Sequence, residues 1–291
     1  MWPQQGFTME HSFVAARCET MHQNLHTLQL PFHSAADVPL RYLPRLTDLG
    51  LLIMKTPDEL ASVLRQLPQL RSLSFYSLAS QEAELFAALS TLKSDLPNLT
   101  SFAIHTGDVG ILEMPYTEMF DSFLRDRREL RRLYCSLEVP PESLGLYLDT
   151  IRTLKNLELF FLLLTSQPYT AEFFENLLSH LPARLVGMGL TSSGLLSDAS
   201  VFDQLWTHFT DFQYLYIRTW EATDVEAEAI TKGTKSLQLL GYNGRFYDVE
   251  YPHGKPALLP PWSARKVAFR NARDFGCEGW ERFMSYLAIE P

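Results

Sequence analysis

Five arginines crowd into eight residues: Arg125, Arg127, Arg128, Arg131 and Arg132, with Asp126 and Glu129 among them. Such a cluster has the chemistry to hold a phosphate or an acidic peptide, because guanidinium groups meet these anions with paired N–H donors. It has an ordinary use too. Cations at the end of a helix complement its dipole and pair with local acids. Both uses stay open here, and only Arg132 is expected to point out of a sheet. A second set is mainly aromatic and apolar: Tyr134, Phe161, Leu163, Tyr214 and Tyr216, with Arg218 and the glycines Gly187 and Gly189. Tyr and Arg are frequent anchors of binding surfaces. His22 and His26 stand four apart, but no carboxylate or cysteine completes a ligand set, so no metal is expected. There is no phosphate-cradling glycine loop and no nucleophile elbow. The reading is therefore of a protein that is not an enzyme, with no catalytic residue and no cofactor.

The elements that must position these side chains are set by a repeated phrase. Its clearest copies are Leu43-Pro-Arg-Leu46-Thr-Asp-Leu49-Gly-Leu51, Leu67-Pro-Gln-Leu70-Arg-Ser-Leu73-Ser-Phe75 and Leu96-Pro-Asn-Leu99-Thr-Ser-Phe102-Ala-Ile104. With the third apolar position as anchor, copies fall at Leu28, Leu49, Leu73, Phe102, Leu133, Phe160, Met188, Leu215, Leu240 and Val267. The period is about 27 residues, within the range of units built from one strand and one helical return. The anchor, the residue two beyond it and the residue three before it are predominantly apolar. Residues two apart on a strand share a face, so these columns mark the inner face of a parallel sheet. Around Leu159–Leu164 either parity is apolar; aligning Leu154-Lys-Asn-Leu157 with Leu96-Pro-Asn-Leu99 makes Phe160 and Leu162 the core pair.

The intervals predict helices. Thr56-Pro-Asp-Glu59 and Thr223-Asp-Val-Glu226 have the form of capping boxes, and Ser80, Thr170 and Ser197 are candidate N-caps. Helices are also expected over 114–128 and 142–153. Strand, helix and parallel strand cross over right-handed. The expected fold is an α/β solenoid of about ten irregular repeats, with a concave parallel sheet and helices on the convex side. Residues 1–20 are expected to form an N-terminal extension, 21–275 the solenoid and 276–291 a capping helix. Tyr247–Trp262 holds four prolines and is expected to be a loop.

Residues one before, one after and three after each anchor should then face the concave side. There the glycines at 187 and 189, flanked by Phe161 and Tyr216, predict an open slot for an aromatic side chain or a short peptide. Arg132, Tyr134, Phe161, Leu163, Gly187, Gly189, Tyr214, Tyr216 and Arg218 are the expected partner-binding residues.

The net charge of −9 argues against nucleic acid and anionic membrane as partners. Three widely spaced cysteines, Cys18, Cys135 and Cys277, are poor material for a disulfide framework, so a cytoplasmic or nuclear setting is expected.

The phrase resembles the intracellular, helix-backed leucine-rich repeats of ribonuclease-inhibitor-like proteins and of fungal-type F-box/leucine-rich-repeat proteins. The resemblance covers most of the chain. It implies a protein-binding solenoid such as the substrate-reading half of a ubiquitin ligase receptor, with a scaffold or inhibitor as the alternative and a divergent enzyme as a remote one. Two features depart from the family. Its asparagine, expected five residues past the anchor, is missing, since Leu78, Glu138, Ser193, Trp220 and others stand there. No F-box segment is visible, so a ligase adaptor is expected only if one lies upstream.

Overall fold

A computed structural model describes residues 23–32, 40, 43–53, 60–77, 82–106, 112–125, 127–164 and 167–268. The expected N-terminal extension, the expected final helix and the capping box at Thr56 lie outside them. The strands are β1 (Thr27–Phe32), β2 (Asp48–Ile53), β3 (Ser72–Ser77), β4 (Ser101–Thr106), β5 (Arg132–Val139) and β6 (Leu159–Leu164). They continue with β7 (Gly187–Ser192), β8 (Tyr214–Thr219), β9 (Leu239–Tyr242), β10 (Arg245–Glu250) and β11 (Ala257–Leu258). They form one 11-stranded sheet in chain order. From β1 to β9 every pairing is parallel, and helices alternate with the strands from β2 onward. This is a solenoid-like α/β arrangement.

Each step along the sheet is made in the same way. One carbonyl two residues before the anchor accepts both N–H groups that open the next strand. His26, Thr47, Arg71, Thr100, Arg131, Glu158, Val186 and Gln213 each serve, at 2.7–3.2 Å. A carbonyl has two lone pairs, so the shared bond satisfies two donors at the turn into every strand. The register is anchor to anchor, as in Leu49↔Leu73, Leu73↔Phe102 and Leu133↔Phe160. Leu49, Leu73, Leu133, Met188, Leu215 and Leu240 are fully buried in one continuous core. Phe160 and Leu162 lie in that core, which settles the strand whose parity was ambiguous.

Seven described helices contribute to this same core. They are α1 (Leu60–Arg65), α2 (Glu82–Ser90), α3 (Met114–Leu124), α4 (Pro141–Thr153), α5 (Ala171–His180), α6 (Asp203–His208) and α7 (Ala227–Thr231). In α4, Leu144, Leu148 and Ile151 fall on one face at helical spacing and are buried. Beneath β4 the core turns aromatic: Phe102 meets Phe123 at 4.9 Å and Phe86 meets Phe120 at 5.5 Å between ring centres. Thr170 caps α5, its hydroxyl accepting from the Phe173 N–H at 3.1 Å. Two caps differ from expectation. Asp198, not Ser197, caps the 3₁₀ turn Ala199–Phe202. Thr223 does not open a helix: its hydroxyl donates to the Leu196 carbonyl, and α7 starts only after Glu226.

The C-terminal end departs most. Val267, expected as a tenth strand anchor, lies in a short helix, α8 (Ala264–Ala268). Tyr247–Trp262 is not simply a loop. The chain turns at Asn243-Gly244 and runs back as β10, antiparallel to β9, and β11 pairs with the end of β10. The sheet thus holds nine parallel strands closed by an antiparallel turn. Asn243 and Gly244 both have positive φ, 45° and 80°, as a two-residue hairpin of this twist requires. The prolines at 252, 256, 260 and 261 flank β11, where a missing N–H discourages pairing with a further strand.

The missing asparagine column has a partial substitute at the other end of the strands. Gln69 donates to the Leu43 carbonyl (3.1 Å), Asn98 to Pro68 (2.9 Å), Asn156 to Arg128 (2.6 Å) and Ser236 to Phe212 (2.9 Å). Each stands four residues before its anchor and ties its unit to the preceding one.

Candidate interaction surfaces

The alternate residues of each strand point away from the helices and build a second, smaller cluster. Its members are Ala103, Tyr134, Leu159, Phe161, Leu163, Tyr214, Tyr216, Leu239, Phe246 and Trp262. Across strands β3 to β6 their neighbours form a ring stack. Tyr76 stacks on His105 at 4.8 Å, His105 on Tyr134 at 4.4 Å, and Tyr134 on Phe161 at 4.5 Å. Close cross-strand and diagonal spacings in a sheet bring such rings together.

The expected partner-binding residues lie on this face, but most are not accessible. Tyr214 and Tyr216 are 1% and 0% exposed, and Tyr134, Phe161 and Leu163 are also buried. Gly187 and Gly189 sit in a strand buried along its whole length. Arg132 and Arg218 are half-buried. The slot over the glycines is filled from within, because the Phe161 ring occupies the place of a Gly189 side chain. Tyr216 and Phe246 fill the space over Gly241 in the same manner. The chain after β11 adds to this cluster through Trp262 and Val267. Solvent is reached at the other end of the same face, where Gln29 and Leu52 are exposed and Tyr76 is half-buried.

The arginine cluster divides. Arg127 turns inward and is 9% exposed. Its guanidinium donates to the carbonyls of Phe123 (2.6 Å), Leu92 (2.8 Å), Asp95 (2.9 Å) and Leu96 (3.3 Å), and lies 4.0 Å from the Phe123 ring centre. It closes the last carbonyls of two helical units, which was not foreseen. Burial pushes its pKa down to about 10, against an opposing effect of Asp95. Arg125 pairs with Asp121 one turn back. Arg131 and Arg184 share Glu158 across adjacent units, at 2.6 and 2.9 Å. An open cleft of about 460 Å³ lies beside Lys93, Arg125 and Arg128, but Asp95 and Glu129 line it too.

The two ends of the strands differ in charge. The segments leading into strands are mainly basic, with Arg45, Arg71, Arg128, Arg131, Arg184, Lys232 and Lys235 outnumbering Asp95, Glu129, Glu158 and Asp211. The segments leaving strands carry Glu113, Asp198, Glu221, Asp224 and Glu226. Helices running antiparallel to the strands put their N-termini on the acidic rim and their C-termini on the basic one, the arrangement that helix dipoles favour.

Cys135 lies in the main core, and burial pushes its thiol pKa up to about 12. It is an inert thiol rather than a nucleophile. Among the described residues no group of histidines, cysteines and acids is placed to hold a metal ion, and no helix is long and apolar enough to cross a membrane.

Sequence reasoning missed Arg127 as a structural clamp, Trp220 as an exposed aromatic and the hairpin at Asn243-Gly244. Only the last carried a local signal, an Asn-Gly pair between strand-like runs. No family model matches the chain, and no curated protein is found to be similar to it in sequence.

Proposed function

We propose that this chain is a non-catalytic recognition module of the leucine-rich-repeat type, with the face opposite the helices as its concave side. It would serve as the substrate-reading half of a receptor of the F-box kind, the chemistry belonging to an associated ubiquitin ligase. The observation that supports this reading is the ring stack Tyr76–His105–Tyr134–Phe161. It crosses four strands, and its outer member is half-buried beside the exposed Leu52. A buried base held by a second core gives that outer edge a fixed shape, so little ordering is lost when a protein partner docks. The docking area on this face therefore shifts from Tyr214 and Tyr216 toward Gln29, Leu52 and Tyr76.

The test is affinity purification of the tagged chain from its native cells, with Tyr76→Ala in parallel. The expected result is a protein bound by the wild-type chain and lost from the variant, with a ligase adaptor and cullin on both where an F-box segment lies upstream. A stoichiometric partner without the ligase components would replace the receptor reading with a scaffold or inhibitor. Identical partner sets for both chains would remove this face from the reading.

A further inference from the structure

The exposed large apolar side chains among the described residues are Leu52, Met114, Leu195 and Trp220. All four lie toward the C-terminal ends of strands or in the connections that follow them, which is the acidic rim. Trp220 is 50% exposed and Leu195 is 45% exposed, and they stand in successive units. Scattered apolar exposure is ordinary, but here it is confined to the rim whose charge has one dominant sign.

The loops that carry these two residues are laced to their neighbours. The Trp220 N–H donates to the Ser192 carbonyl at 3.2 Å, the Thr223 hydroxyl to Leu196 at 2.5 Å, and the Tyr169 N–H to Leu195 at 3.2 Å. The Thr219 N–H donates to Asn243 Oδ1 at 2.9 Å, which ties in the closing hairpin. At Gly194 the Gln167 backbone sits where a side chain would be, so those loops are in close contact. A rim tied in this way meets a ligand with its shape already set. Between Trp220 and the hairpin turn lies a cleft of about 400 Å³, walled by Arg218, Glu221 and Gly244. Glu221 and Asp224 are exposed, with no ion-pair partner among the described residues.

We propose that this rim docks a basic amphipathic segment of a partner protein. Its apolar side chains would rest on Trp220 and Leu195, and its lysines or arginines against Glu221 and Asp224. Trp is one of the residues enriched among binding anchors, and complementary charge adds speed and selectivity of encounter. The inference rests on the recognition reading only in taking the chain as a protein-binding module, and it concerns a different surface.

The experiment titrates the full chain into a fluorescein-labelled peptide of leucine and lysine in amphipathic helical order, followed by anisotropy. One control peptide has serine for leucine and another has glutamate for lysine. The leucine–lysine peptide is expected to bind best. Trp220→Ala is expected to weaken it at least about tenfold with an unchanged melting temperature, since the side chain is exposed. Glu221→Gln with Asp224→Asn is expected to weaken it and flatten its salt dependence. Tyr76→Ala is expected to bind it normally, which separates this surface from the ring stack. Equal binding of the serine control, wild-type affinity in Trp220→Ala, or loss in Tyr76→Ala would each overturn the proposal.

Discussion

The ring of Phe161 occupies the space that a side chain on Gly189 would need. A methyl group there would overlap Cδ2 and stand 3.0 Å from Cε2. The two residues are directly paired on β6 and β7, so neither backbone can withdraw without breaking the ladder. Gly189→Ala should therefore cost about 1–3 kcal/mol as an overpacked site. In a Phe161→Leu background the same change should cost less, because the smaller side chain leaves room. Urea denaturation of the four chains measures this coupling. Strict additivity would show that the ring does not lie over the glycine in solution.

Arg127 should be hard to replace. Its guanidinium reaches the carbonyls of Phe123, Leu92, Asp95 and Leu96; those of Leu92 and Leu96 also accept the N–H groups of Asp95 and Leu99. Arg127→Met keeps much of the volume and removes every donor, at an expected cost of about 3 kcal/mol. Arg127→Lys should recover only part, because an ammonium cannot span several carbonyls from one point. Thermal melting of both variants decides it, and a wild-type transition for Arg127→Met would refute the clamp.

The Cys135 thiol should stay unreactive while the chain is folded. Burial raises its pKa from 9.0 to about 12, so the neutral form is the one the fold accepts. The contribution to stability is fully present below pH 9, and it is lost as the pH rises from about 9 toward 12. With Cys18→Ser and Cys277→Ser in place, labelling by a thiol reagent at pH 8 should proceed only through unfolding. Stoichiometric labelling within the mixing time would place Cys135 outside the core.

The closing hairpin should depend on its two turn residues. Gly244→Ala places a Cβ at φ 80° and should cost about 1–2 kcal/mol. Asn243→Ala should destabilise as well, since the Thr219 N–H loses its acceptor. Hydrogen exchange should show faster opening of β9 and β10 in both variants, ahead of the central strands. Unchanged protection in these strands would mean that the turn does not hold the end of the sheet.

Several features were legible in the sequence because their causes are local. A column such as Leu49, Leu73 and Phe102 recurs at one place in each unit, and a strand puts residues two apart on one face. That was enough to order the strands and to choose Phe160 over Leu159 for the core. The cap at Thr170 was legible for the same reason, since its hydroxyl serves an N–H only three residues away. The hairpin at Asn243-Gly244 was equally local. With Val267 read as a tenth anchor, the stretch before it reads as a connection, where the structure has β10.

The candidate surface was not legible in this way. The alternation of side chains puts Tyr214 and Tyr216 on the face away from the helices, and no local rule says whether that face meets water. Their exposures of 1% and 0% come from partners such as Phe246 and Trp262, far along the chain. The inward turn of Arg127 depends likewise on carbonyls 31 to 35 residues earlier. The sequence by itself determined the repeating strand–helix unit and its register. These follow from periodicity, which each unit carries within itself. The tertiary structure alone decided which side chains are accessible, since burial is a property of what distant segments bring together. It closed the slot over Gly189 and left Leu52, Leu195 and Trp220 open to solvent.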